Sequence, residues 1–96
     1  MTKEYILQKL HSHKRVLEKE FGVEKIGLFG SYAKDKQTSS SDIDFYVEFR
    51  EKTFDNLAGL WVYLEDIFNK KVDILHKHNN NNSIFLSRVL KEVIYG

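Results

Sequence analysis

The 96-residue chain contains neither cysteine nor proline. Without cysteine it can form no disulfide framework and no thiolate metal site, and a reducing compartment, by default the cytoplasm, is the expected location. Without proline nothing forces a break in its helices or strands. Charge bias is missing too: 15 Lys and Arg stand against 14 Asp and Glu, a formal charge of +1. No bulk field therefore draws the chain to nucleic acid or membrane, and any phosphate binding must be local. No apolar run approaches the roughly 20 residues of a spanning helix, and the N-terminus alternates charged and apolar residues instead of forming a leader. There is no internal repeat. What is present, 42% hydrophobic and 14% aromatic residues, suffices to bury one core but not two. One domain over residues 1–96 is expected, with no room for a second, substrate-holding domain.

Apolar spacing predicts the elements. Ile6, Leu7, Leu10, Leu17 and Phe21 recur at helical intervals, so residues 2–21 read as one amphipathic helix stopped by Gly22. Lys25 to Phe29 and the strictly alternating Asp42 to Phe49 read as strands. Between them Ser31 to Lys34 could turn as a short helix, followed by a polar loop from Asp35 to Ser41. After a Thr53 or Asp55 cap, Phe54, Leu57, Leu60, Trp61, Leu64, Ile67 and Phe68 form one helical stripe. Lys71 to Leu75 is a third strand. A polar loop from His76 to Asn82 leads to a helix capped by Ser83, its apolar face formed by Phe85, Leu86, Val89, Leu90, Val93 and Ile94. The order implies an α/β fold, a small mixed sheet covered by helices.

Chemistry concentrates in Gly30-Ser31 and Asp42-Ile43-Asp44. On a strand, residues two apart share a face, so Asp42 and Asp44 project together, opposite Ile43, Phe45, Val47 and Phe49. Two carboxylates held side by side repel unless a proton or a hard cation, most economically Mg²⁺, lies between them. The plainer alternative is a loop-capping Asp42 and a solvated Asp44. Gly30 would let the backbone approach a ligand, and a helix starting at Ser31 would aim N–H groups at an anion. Taken alone, that step is more simply a strand-to-helix turn with Ser31 as its cap. Asp73, flanked by core-facing Val72 and Ile74, could bring a third carboxylate from a neighbouring strand; by itself it reads as an edge residue.

Together these residues resemble the signature of the DNA polymerase beta-like nucleotidyltransferase superfamily: Gly-Ser, about ten residues, then Asp-x-Asp in a hydrophobic strand. Gly30-Ser31-Tyr32-Ala33, Ser41-Asp42-Ile43-Asp44 and the late Val72-Asp73 look like the minimal nucleotidyltransferases (MNT) of prokaryotes along nearly the whole chain. The resemblance implies a polymerase beta-like core that moves AMP from ATP with two Mg²⁺ ions about 4 Å apart. By the same resemblance Gly30 and Ser31 would hold the triphosphate with Lys34, Asp42 and Asp44 would bind both metals, and Asp73 would bind the catalytic one and sit nearest the acceptor hydroxyl. It also implies an antitoxin role, neutralising a helical HEPN-domain toxin by adding AMP to a tyrosine. One departure stands out. The family usually has Arg-Gly where this chain has Lys34-Asp35, keeping the charge but not the planar fork that grips phosphate bidentately. Two other functions compete: an antitoxin that masks its partner by binding alone, and transfer to a small molecule, which would need a dimer to build the acceptor site. A hetero- or homo-oligomer is compatible with any of them.

Other features favour plainer readings. His11 and His13, two apart on a helix, do not face each other. His76-Lys77-His78 and the asparagine run read as solvated loop, and the Trp61 stripe as core. Tyr46 shares the face of Asp42 and Asp44, where it could reach a nucleotide or pack under a helix; Tyr32 is open in the same way.

Overall fold

The computed structural model describes residues 1–77 and 84–96. The amphipathic N-terminal stretch forms two helices, not one: α1, Lys3–Ser12, and α2, Lys14–Phe21. Thr2 caps α1, its hydroxyl accepting from the Tyr5 amide at 3.1 Å. The break falls at His13, which leaves helical geometry while its ring Nδ1 lies 2.6 Å from the Tyr63 hydroxyl. Leu10 and Leu17, on either side of the break, are both buried. The hydrophobic phase thus survives the kink, and periodicity alone cannot reveal it.

The remaining elements are β1, Val23–Phe29; β2, Ile43–Phe49; α3, Phe54–Phe68; β3, Val72–His76; α4, Ile84–Glu92; and β4, Ile94–Tyr95. Thr53 caps α3 through Asn56 N at 3.0 Å. Residues 31–34 form hydrogen-bonded turns, not the short helix the sequence suggested. The expected last helix stops at Glu92, and Ile94, assigned to its apolar face, enters a strand instead. Phe54, the first residue of α3, is 82% exposed, and Phe85 and Leu90 are also exposed, so the predicted stripes were too generous at these positions. The Ser83 cap, His78 and the asparagine run lie outside the described residues.

The four strands form a mixed sheet in the order β3-β2-β1-β4. β1 runs antiparallel to both β2 and β4, and β2 runs parallel to β3. Alternation sorts the side chains onto two faces. On one face Ile26, Leu28, Ile43, Phe45, Val47 and Val72 meet Ile6, Leu10, Leu17, Leu60, Leu64 and Phe68 from α1, α2 and α3. This is the main core, where truncating a leucine to alanine costs about 2–5 kcal/mol. On the other face α4 packs Leu86 and Val89 against Tyr46, with Phe29, Leu75 and Val93 around them. α4 shares this face with the acidic residues of β2 and β3.

α3 also fastens the outer edge of the sheet. The Trp61 indole Nε1 donates to Val72 O at 2.8 Å, and a Glu65 carboxylate oxygen accepts from Val72 N at 3.0 Å. The residue preceding Asp73 is thereby held by both of its backbone polar groups, and Trp61 stays with the core as expected.

Candidate active site

Asp44 is the centre of the acidic face. It is half-buried, whereas Asp42, just before β2, and Asp73, on β3, are exposed. In the parallel register Asp44 lies directly opposite Asp73, so the two side chains leave the sheet on the same face, with Asp42 two residues behind. Burial first, then Asp73, then Asp42, push the Asp44 carboxyl up from its ordinary 3.8 to about 6. Burial and the neighbouring like charges both disfavour the ionised form.

Gly30 completes the centre. It follows β1 where Phe29 pairs with Asp44, and its φ of 77° lies in the left-handed region. A Cβ placed there would collide with Asp44 Oδ2. Glycine is therefore required twice over, for its backbone angle and for the carboxylate leaning against it. Beyond Gly30 the chain closes on itself: Lys34 N reaches Gly30 O and Ser31 O at 3.2 Å, and Lys36 N reaches Ser31 O at 2.9 Å.

As the side chains stand, the carboxylates do not close on a single point: among the described residues no three His, Asp or Glu side chains form a ready cage for a metal ion. The donors nonetheless fit a hard divalent cation, being all oxygen, in register on adjacent strands and raised in proton affinity at the most buried member.

The other flagged residues divide. Tyr46 is fully buried under α4 and its hydroxyl donates to Glu48 at 2.8 Å, so of its two readings the packing one holds. Burial and that hydrogen bond push its ionisation up. Tyr32 is likewise buried in the main core. Lys34 is paired, its Nζ 3.2 Å from Glu92 Oε1 at the end of α4. Asp35, standing where the resembled family has glycine, adopts φ 57° and holds Lys3 at 3.3 Å. Glu92 was missed in the sequence; only its place at the end of an amphipathic helix could have flagged it. The acidic face is open. A hollow of about 250 Å³ lined by Leu17, Val23, Ile26 and Tyr95, among others, lies beside α2 and the outer edge of β1, away from the carboxylates. Among the described residues no helix is long and apolar enough to cross a membrane.

Comparison with known proteins bears on the family and the fold. The family described as "Polymerase beta, Nucleotidyltransferase" matches residues 11–96. The protein adenylyltransferase MntA of Thermococcus cleftensis is 36% identical over 96 residues, covering 99% of this chain and 96% of its own. A solved structure described as a minimal nucleotidyltransferase superposes with a TM-score of 0.79 at 27% identity, over 98% of this chain and 95% of that one. The fold, at 19% identity and a TM-score of 0.64, is also shared by a chain in a structure of tri-AMPylated Shewanella oneidensis HEPN toxin in complex with MNT antitoxin, over 98% of this chain and 71% of that one.

Proposed function

Because the chain belongs to the polymerase beta nucleotidyltransferase family, we propose that it transfers AMP from ATP to a hydroxyl, a tyrosine, of a HEPN-type partner protein and so acts as that partner's antitoxin. The observation that carries the reading is the contact of Gly30 with Asp44 beside the in-register Asp73. This contact sets the turn that follows β1 directly against the acidic face of β2. The names carried by its relatives, an adenylyltransferase and an antitoxin in complex with a modified HEPN toxin, supply the class of acceptor.

In this reading Asp42, Asp44 and Asp73 hold Mg²⁺. A metal held there would supply neutralisation of the negative charge at the α-phosphorus, where the acceptor oxygen would form its bond and pyrophosphate would leave. The turn at Gly30 and Ser31 receives the triphosphate, with Lys34 as its cation. Asp73, exposed at the rim, accepts the proton of the incoming hydroxyl. Residues 1–96 act as one catalytic unit, and the acceptor is carried by another polypeptide.

The test separates modification from masking. A HEPN partner incubated with this protein, ATP and Mg²⁺ and then purified away should stay inactive and gain the mass of one or more AMP units on a tyrosine. Recovery of the partner's full activity at unmodified mass would refute transfer and leave binding alone.

A further inference from the structure

The turn that follows Gly30 and the end of α4 are far apart in sequence yet touch. Gly27 makes this contact possible. A Cβ on Gly27 would collide with Val93 Cγ1 and come within 2.9 Å of Ile94 O, so the missing side chain lets the α4–β4 junction lie directly against β1. β4 then pairs Ile94 with Leu28 and Tyr95 with Gly27, and α4 ends alongside the strand that leads into Gly30. Its last residue, Glu92, meets Lys34, the Nζ–Oε1 distance being 3.2 Å with the two side chains 49% and 42% exposed.

We infer that Glu92 is a positioning residue that sets nucleotide affinity: it holds the Lys34 ammonium on α4, and an incoming triphosphate must take that cation from it. The inference rests on the proposed role of the Gly30–Lys34 turn in receiving ATP. Lys34 is anchored over that turn by its backbone bonds to Gly30 and Ser31, so only its flexible side chain has to move. A lysine suits such an exchange, being a compact point charge on a rotatable stem, whereas an arginine would grip a carboxylate in two places and release it less readily. The pair is half-exposed and therefore weakly held. A triphosphate carrying several negative charges outcompetes one carboxylate, but at a cost to affinity.

The experiment is a double-mutant cycle on the full chain, read by titrating a fluorescent ATP analogue in the presence of Mg²⁺, with melting temperatures as a control for folding. Glu92→Gln should tighten binding by about two- to five-fold, the range an exposed ion pair can withhold. Lys34→Gln should weaken it. In the Lys34→Gln background, Glu92→Gln should have no further effect, because Glu92 acts only through Lys34. Binding by Glu92→Gln that is unchanged or weaker, with Lys34→Gln still impaired, would overturn the inference and leave the nucleotide site standing. An equal gain in both backgrounds would also overturn it, reducing Glu92 to a general field. A wild-type protein that does not bind the analogue, or a Lys34→Gln that binds as well as wild type, would remove the nucleotide role of the turn and the inference with it.

Discussion

Asp44→Asn should destroy transfer and at the same time make the metal-free protein more stable. The folded protein keeps the Asp44 proton up to about pH 6, whereas the unfolded chain releases it near the ordinary 3.8. Below pH 3.8 both states are protonated and the group is neutral in the balance. As pH rises from 4 to 6 the unfolded state ionises freely and the folded state does not, so stability is lost across that window and stays lost above it. At about 1.4 kcal/mol per pH unit the full penalty is an upper bound of about 3 kcal/mol. Asp44 is only half-buried and solvent screens its neighbours, so about 1–2 kcal/mol is expected. For a chain of this size that is about 5–10 °C in melting temperature. Circular dichroism melts in EDTA should show the variant above wild type by that margin at pH 8, with the gap closing near pH 4. Mg²⁺ should then raise the wild-type melting temperature and leave the variant where it is. A variant that melts at or below wild type at pH 8, or by the same margin above it at both pH values, would refute the account of a charge-starved carboxylate.

Substitutions at two further positions, Gly30 and Asp35, probe the backbone of the turn after β1. Gly30→Ala should lose transfer and destabilise by about 1–3 kcal/mol in denaturant titration, since it imposes both a left-handed angle on a non-glycine residue and a clash with Asp44 Oδ2. Adding Asp44→Ala should recover part of the stability and none of the activity. Asp35→Gly and Asp35→Val both forfeit the Lys3 pair, so their difference isolates the φ of 57°. The valine variant should be less stable by at least about 1 kcal/mol, and equal stability would deny the strain.

Sequence reading succeeded where one segment determines its own surroundings. The alternation of β2 announces a sheet with two different faces, and Asp42 and Asp44 fall on the face opposite the phenylalanines because strand geometry leaves no other choice. Of the two caps offered for α3, Thr53 or Asp55, the structure takes Thr53, and the mixed sheet follows from the order of the elements. Failures arose where distant parts decide. The break at His13 is selected by Tyr63, fifty residues on. Ile94 continues a helical spacing yet is claimed by the free edge of β1. Phe54 fits the stripe of α3, but as its first residue it overhangs the core. Tyr46 shares the acidic face by alternation, and only the arrival of α4 decides that it is core. The site divides in the same way. Gly30 and Asp44 are legible within fifteen residues of one another, the register that sets Asp73 against Asp44 is a tertiary fact, and Glu92 reaches Lys34 only because Gly27 lets the chain pass.

The hold of α3 on Val72 bears on how this molecule avoids sticking to itself. An edge strand normally offers a row of open amides and carbonyls on which another chain can build, the usual starting point of strand addition and aggregation. At the start of β3 that invitation is withdrawn, because Val72 N and O are already engaged by Glu65 and Trp61. A foreign strand would have to displace an indole and a carboxylate before it could register next to Asp73. Lateral growth of the sheet is thus discouraged beside the acidic centre, whose carboxylates stay uncovered on that side.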